Sequence, residues 1–161
     1  MVTQAYPDPR EFESLVELLD DAARRYHGDR PRLSLRTDEG IALAWSCDEL
    51  RRRARSAAWR LHRMGLRRGD RLLTWSPSTP ALPAVYWGAM MAGVVVVPLD
   101  LRMAPAVVLR IAGKVDAGWL ATGTGQDAPD PVAGGLGHLS QVTVEALAAE
   151  PDTDVVFTVV W

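Results

Sequence analysis

Apolar residues recur at helical spacing from Leu15 onward. Leu15, Leu18, Leu19, Ala22 and Tyr26 share one stripe behind Ser14, which suits an N-cap, and the pattern predicts an amphipathic helix ending near His27-Gly28. RLSLR (32–36) and IALAW (41–45) then flank Asp38-Glu39-Gly40, which predicts a hairpin. Ser46-Cys47-Asp48-Glu49 has the form of a capping box, in which the Ser46 hydroxyl accepts from the N3 amide and Glu49 reaches back to the Ser46 amide. The helix it opens carries Leu50, Ala54, Ala57, Ala58 and Leu61 on its apolar side, and Gly65 fits the left-handed position that ends it. RLLTW (71–75) follows as a strand. Residues from about 80 to 91 form an apolar helix stopped by Gly93, and 94–97 is an unbroken valine run, the pattern of a strand covered on both faces. Pro105 sits at N1 of a helix reaching about Gly113, and 117–121 reads as another strand.

Beyond that strand the text becomes rich in Gly, Pro and Asp. A loop is expected over about 123–138, then LSQVTV (139–144), a short Ala-rich helix (144–149) and a final strand over about 155–161. Strands alternating with helices argue an α/β fold, an open layered sheet with flanking helices, and the structured core is expected over about 13–122. At 161 residues the chain is long enough for one domain, which buries roughly 70% of its unfolded surface.

Composition narrows the setting. Hydrophobic residues make up 48%, charged residues 24%, and net charge is −2, so charge alone points to neither nucleic acid nor a membrane surface. The charge is unevenly spread: residues 1–50 hold 11 acids and 6 bases, 51–100 hold 2 and 9, and 101–161 hold 7 and 3. With Cys47 as the single cysteine, no intrachain disulfide forms, and no metal-ligand spacing is present. The N-terminus lacks the form of a secretory signal, and the apolar stretch over 81–99 is broken by Pro83, Gly88, Gly93 and Pro98, so no membrane span is expected. A cytoplasmic, reducing location is the expectation.

Individual candidates for chemistry resolve mostly to structure. Gly123-Thr124-Gly125 follows a strand but lacks the Lys-Ser/Thr of a phosphate loop, so it reads as a surface loop. Arg51, Arg52, Arg53, Arg55, Arg60 and Arg63 read as a solvated helix face paired with the acidic flanks, against the alternative of a nucleic-acid or CoA-phosphate patch. His27, His62 and His138 are dispersed. Cys47 stands in the first turn of a helix, where a thiol pKa can fall, but reads as a packed small hydrophobe. Trp87, Met90 and Met91 read as core rather than as a lipid pocket.

Two stretches go further. LAWSCDELRRRARSAAWRLHRMGLRRGDRLL (43–73) and YWGAMMAGVVVVPLDLR (86–102), in this order, resemble the first blocks of the AMP-forming adenylating enzymes, which include acyl-CoA ligases, luciferases and peptide-synthetase adenylation domains. The matching residues are Ser46, Asp48-Glu49-Leu50, Gly65-Leu66 and Gly69-Asp70-Arg71 in the first block, and Gly88-Ala89, Ala92-Gly93 and Pro98-Leu99-Asp100 in the second. Cys47 stands where the family carries an aromatic residue. The resemblance implies the first part of the family's N-terminal domain, over 1–161. It implies a parent enzyme that activates a carboxylate with ATP through an acyl-adenylate and passes the acyl group to a thiol, using ATP, Mg²⁺ and CoA. The family's Thr-Ser-Gly-rich phosphate loop, its acids and its late Lys have no counterpart here, and the chain stops where that loop would begin. No catalytic, cofactor-binding or metal residue is therefore expected in this segment, nor a cofactor bound to it. The expected role is an inactive scaffold whose partner is the remainder of the ligase or a second copy of the chain. The alternative is a free-standing interaction or dimerisation module derived from the same fold.

Overall fold

The computed structural model describes residues 12–28, 30–125 and 127–150; the strand expected over 155–161 lies outside them. Helix α1 (Leu15–Arg25) starts at Ser14, whose hydroxyl accepts from the Glu17 amide at 3.2 Å. Strands β1 (Leu33–Thr37) and β2 (Gly40–Trp45) form the expected antiparallel hairpin, with an irregularity between Leu35 and Arg36. Helix α2 (Cys47–Arg63) is capped by Ser46, which accepts from the Glu49 amide at 3.1 Å. The capping box is only half formed. Glu49 directs its carboxylate to Arg52 and Arg53, one turn along its own helix, because two cations there outcompete a neutral amide. At the other end, Gly65 bonds back to His62 and Leu66 to Leu61, the paired bonds of a Schellman stop.

The main sheet contains β3 (Arg71–Trp75), β4 (Val95–Pro98), β5 (Trp119–Thr122) and β6 (Ser140–Thr143). All pairings are parallel, and the spatial order is β4-β3-β5-β6. Helix α3 (Ala81–Met91) links β3 to β4, α4 (Pro105–Val115) links β4 to β5, and a short α5 (Val144–Leu147) follows β6. The valine run is not the central strand: β4 lies at the sheet's edge, with Val95 49% exposed, whereas β3 occupies an inner position and is buried from Leu72 to Trp75. Helix α4 continues two residues past Gly113 and turns at Asp116, which takes the left-handed conformation at φ 52°; a short polar side chain tolerates it.

Period-two alternation along β3 divides the core. Leu72 faces α2 and α3 with Leu61, Val85 and Ala89, while Leu73 and Trp75 face α4 with Val108, Ala112 and Leu136. Each fully buried leucine contributes about 1.5–3 kcal/mol. Helix α3 is apolar on nearly every side because α1, α2, α5 and the sheet pack against it, leaving only Met90 exposed. Its Gly88 lies directly against α2: a Cβ there would stand 2.6 Å from the Ala54 carbonyl oxygen. A small-residue seam of Ala54, Ala57 and Ala58 on α2 permits that approach.

Two arginines of α2 bind the segment that closes α5. Arg60 donates to the carbonyls of Leu147 (3.0 Å) and Ala149 (2.7 Å), and Arg53 to that of Ala148 (2.9 Å). These are the carbonyls at and just beyond the end of α5, which a helix terminus leaves without intrahelical donors.

Candidate functional site

In an open parallel sheet, ligands bind outside the carboxyl ends of the strands where the connections diverge. Here that point lies between β3 and β5. The chain leaves β3 toward α3 on one face, and leaves β5 toward the turn carrying Leu136 and Leu139 on the face covered by α4. The two loops at the crevice are Ser76-Pro77-Ser78-Thr79 and Gly123-Thr124-Gly125. They touch: a Cβ at Gly123 would stand 2.6 Å from Pro77 Cδ and 2.7 Å from Ser76 Oγ, so glycine lets the second loop pack closely on these side chains. Ser76 is buried and donates to the Pro77 carbonyl at 3.0 Å, while Ser78 and Thr124 are exposed.

Supporting contacts reach across the strands. The hydroxyls of Thr74 and Tyr86 share a hydrogen bond at 3.2 Å, and Trp75 Nε1 donates to the Asp100 carbonyl at 3.2 Å, tying β3 to the loop after β4. Asp100 receives the Arg102 amide at 2.8 Å and its guanidinium at 2.7 and 3.1 Å. Those bonds hold its carboxyl down at about 2 although it lies at the surface.

The residues singled out by sequence separate into distinct environments. Gly123-Thr124-Gly125 is a loop with no helix opening directly after it; Thr124 and Gly125 are exposed as expected of a surface connection, but Gly123 is buried against Ser76 and Pro77. The arginine face is paired: Arg51 and Arg55 reach Asp20 of α1, and Arg52 and Arg53 reach Glu49 and Glu150. Arg63 stacks on Trp59. His27, His62 and His138 are all exposed and sit at the ends of α1 and α2 and before β6. Cys47 is half-buried, and burial pushes its thiol pKa up despite Arg32, so it is not a helix-activated thiolate. Met91 is core and Trp87 packs beside it, but Met90 is 39% exposed on the outer side of α3, contrary to the expectation of a core position.

A second feature has no sequence signal. A half-open pocket of about 340 Å³ lies beside the hairpin, lined by Leu35, Leu43 and Trp45 from β1 and β2, Thr79 and Ala81 at the start of α3, and Glu145 and Ala148 in and just after α5. Arg53 reaches its wall and lies 4.5 Å from the Trp45 ring centroid. Thr79 Oγ1 and Glu145 Oε2 are buried without a hydrogen-bond partner among the described residues. Periodicity could not reveal this, because the two residues are distant in sequence and meet only through the sheet order.

Comparison with known proteins places this architecture. The profile of the AMP-binding enzymes matches residues 19–158, and the chain belongs to that family. Over 98 residues it is 33% identical to the long-chain-fatty-acid–CoA ligase of Salmonella typhimurium, a match covering 61% of this chain and 17% of that enzyme. Among solved structures it is similar to the N-terminal subdomain of Klebsiella oxytoca NpsA in complex with 3-hydroxybenzoyl-AMSN (TM-score 0.69, 15% identity, covering 92% of this chain and 35% of that one). It is also similar to VinN in complex with 3-methylaspartate (TM-score 0.68, 25% identity, 84% of this chain and 36% of that one). The chain thus spans about a sixth of the curated relatives it matches, at their N-terminal portion, and its fold is that of the adenylating enzymes' N-terminal subdomain. No described helix is long and apolar enough to cross a membrane.

Proposed function

We propose that this chain is the scaffold segment of an AMP-forming acid–thiol ligase in the cytoplasm. The observation that carries the reading is the four-stranded parallel sheet with its β3 and β5 loops meeting at the switch point, in a chain matched by the family over residues 19–158. The segment supplies one wall of the enzyme and positions neighbouring chain, while the reacting groups come from elsewhere in the larger protein. The residues in hand do not fit Mg²⁺-triphosphate: among the described residues no three His, Cys, Asp or Glu side chains converge, Asp100 is engaged by Arg102, and no Lys adjoins Gly123-Thr124-Gly125. No step of ATP, Mg²⁺ or CoA chemistry is assigned to them. The carboxylate is a fatty or other organic acid, as for the ligase relatives.

The test is pyrophosphate release by the 161-residue polypeptide with ATP, Mg²⁺, CoA and a panel of fatty acids. Background rates are expected, and clear turnover would overturn the scaffold reading. A second reading, a non-catalytic module that self-associates, draws on the half-exposed Val95 at the β4 edge. Light scattering separates the two: a strictly monomeric chain removes the second.

A further inference from the structure

We propose that β2 is the seam by which two copies of this chain associate, pairing antiparallel across a two-fold axis into a four-stranded sheet of order β1-β2-β2-β1. The proposal does not rest on the scaffold reading: pyrophosphate release tests that one, and association tests this one.

The hairpin is a sheet of two strands, and a two-stranded ribbon is marginal in water unless a third strand or a helix supports it. Its base has that support, since Trp45 is core and Leu33 packs against the same cluster. The rest of β2 does not: Gly40 to Ala44 are all exposed, with Ile41 at 57% and Leu43 at 38%. An edge strand offers a row of unpaired N–H and C=O groups, and folded proteins protect such edges with charge, proline or brevity. β2 (GIALAW) runs for six residues with neither charge nor proline. The other described edges are protected: β1 carries Arg36, β4 has four residues and ends at Pro98, and β6 has four residues. The register irregularity leaves Ala42 without a partner on β1 and bends β2, but it adds no charged side chain to the edge.

Charge selects the partner and the direction. Asp38 and Glu39 form the tip between the strands, and among the described residues neither has an ion pair. At the base, the Arg32 amide donates to the Trp45 carbonyl at 2.8 Å and its guanidinium lies 4.7 Å from the Tyr26 ring centroid. Neither Arg32 nor Arg30, two residues earlier, has an acid partner among the described residues, and Asp48 nearby receives the Gly28 amide. A two-fold axis between Ala42 and Leu43 sets Gly40 of one copy beside Trp45 of the other. Each acidic tip then approaches the other copy's arginine base, whereas a parallel alignment would bring tip onto tip. The contact uses the same strand on both copies, so it closes as a dimer and does not propagate.

The experiment is sedimentation equilibrium of the unmodified 161-residue chain at low salt, with the β2 amide signals followed by NMR over the same concentrations and circular dichroism checking the fold of each variant. A reversible dimer is expected below about 1 mM, weakening as salt rises, with concentration-dependent shifts confined to the hairpin. Ala42→Lys sets two ammoniums together at the axis and is expected to weaken association about tenfold or more, while Val95→Lys at the β4 edge leaves it unchanged. D38R/E39R and R30E/R32E are each expected to stay monomeric where the parent pairs, and their mixture to form a one-to-one heterodimer, because every tip then faces a base of opposite sign. A chain that stays monomeric to about 1 mM, a dimer whose β2 amides do not shift, a dimer that A42K leaves intact or V95K removes, or swapped variants that never pair would each overturn the proposal. The first two outcomes need no variant, so they decide the question even if a substituted chain fails to fold.

Discussion

Replacing Gly88 by Ala tests how closely α3 approaches α2. The new methyl would lie 2.6 Å from the Ala54 carbonyl oxygen and the Ala57 Cβ, and 2.9 Å from the Ala58 nitrogen. Two of these are backbone atoms, so no rotamer change relieves the clash, and the helices must part by roughly 0.8 Å to restore ordinary contact. Overpacking of this kind costs about 1–3 kcal/mol, while Ala in place of Gly inside a helix returns about 0.5–1 kcal/mol. The expected net loss is therefore about 1–2 kcal/mol, or about 2–8 °C in Tm. Gly113→Ala is the matched control: it also lies within a helix, but its Cβ would meet nothing within 4 Å, so the propensity gain of about 0.5–1 kcal/mol stands alone. Urea unfolding of both variants by tryptophan fluorescence should show midpoints moving in opposite directions with unchanged slope. If G88A is as stable as the parent, or both variants shift the same way, the argument from close helix approach is wrong.

Other substitutions probe separate contacts. Ser46→Ala should cost about 1 kcal/mol through loss of the bond to the Glu49 amide, read by urea unfolding. Arg60→Ala should destabilise by about 1–2 kcal/mol and speed hydrogen exchange at the α5 carbonyl-bound segment around Leu147 and Ala148, and Lys should not restore it because one planar guanidinium serves several carbonyls. Asp100 should remain ionised down to about pH 2 by carboxyl NMR, and Arg102→Ala should return it to the ordinary range near 3.9. Because folding lowers this pKa, the pair's contribution is complete above pH about 4 and is lost as pH falls through about 2.

Local signals were legible where one stretch of chain determines the outcome. The Ser14 and Ser46 caps, the hairpin around Asp38-Glu39-Gly40 and the stops at Gly65 and Gly93 all depend on neighbours within a few residues, and they stand where the sequence places them. Strand order was not legible. The valine run has the composition of an inner strand, yet Arg71-Leu72-Leu73-Thr74-Trp75 holds that place, because burial depends on which strands arrive on either side. The same reason hid the crevice at Gly123 and the half-open pocket beside the hairpin: each is assembled from residues far apart in sequence. Glu49 shows a smaller failure, in which a side chain with a recognised cap role finds stronger partners in Arg52 and Arg53.

The strand order also has a kinetic consequence. β3 and β4 pair residues about two dozen apart, as do β5 and β6, whereas β3 and β5 pair residues about four dozen apart. Doubling a closing loop adds about 0.6 kcal/mol of entropy cost, so the two local pairs are expected to assemble first and join along β3 and β5 afterwards. Where the joint closes last, it is also a natural place for transient opening. The line along which Gly123 meets Ser76 and Pro77 is then both the crevice of the folded sheet and the seam between two early-folding halves.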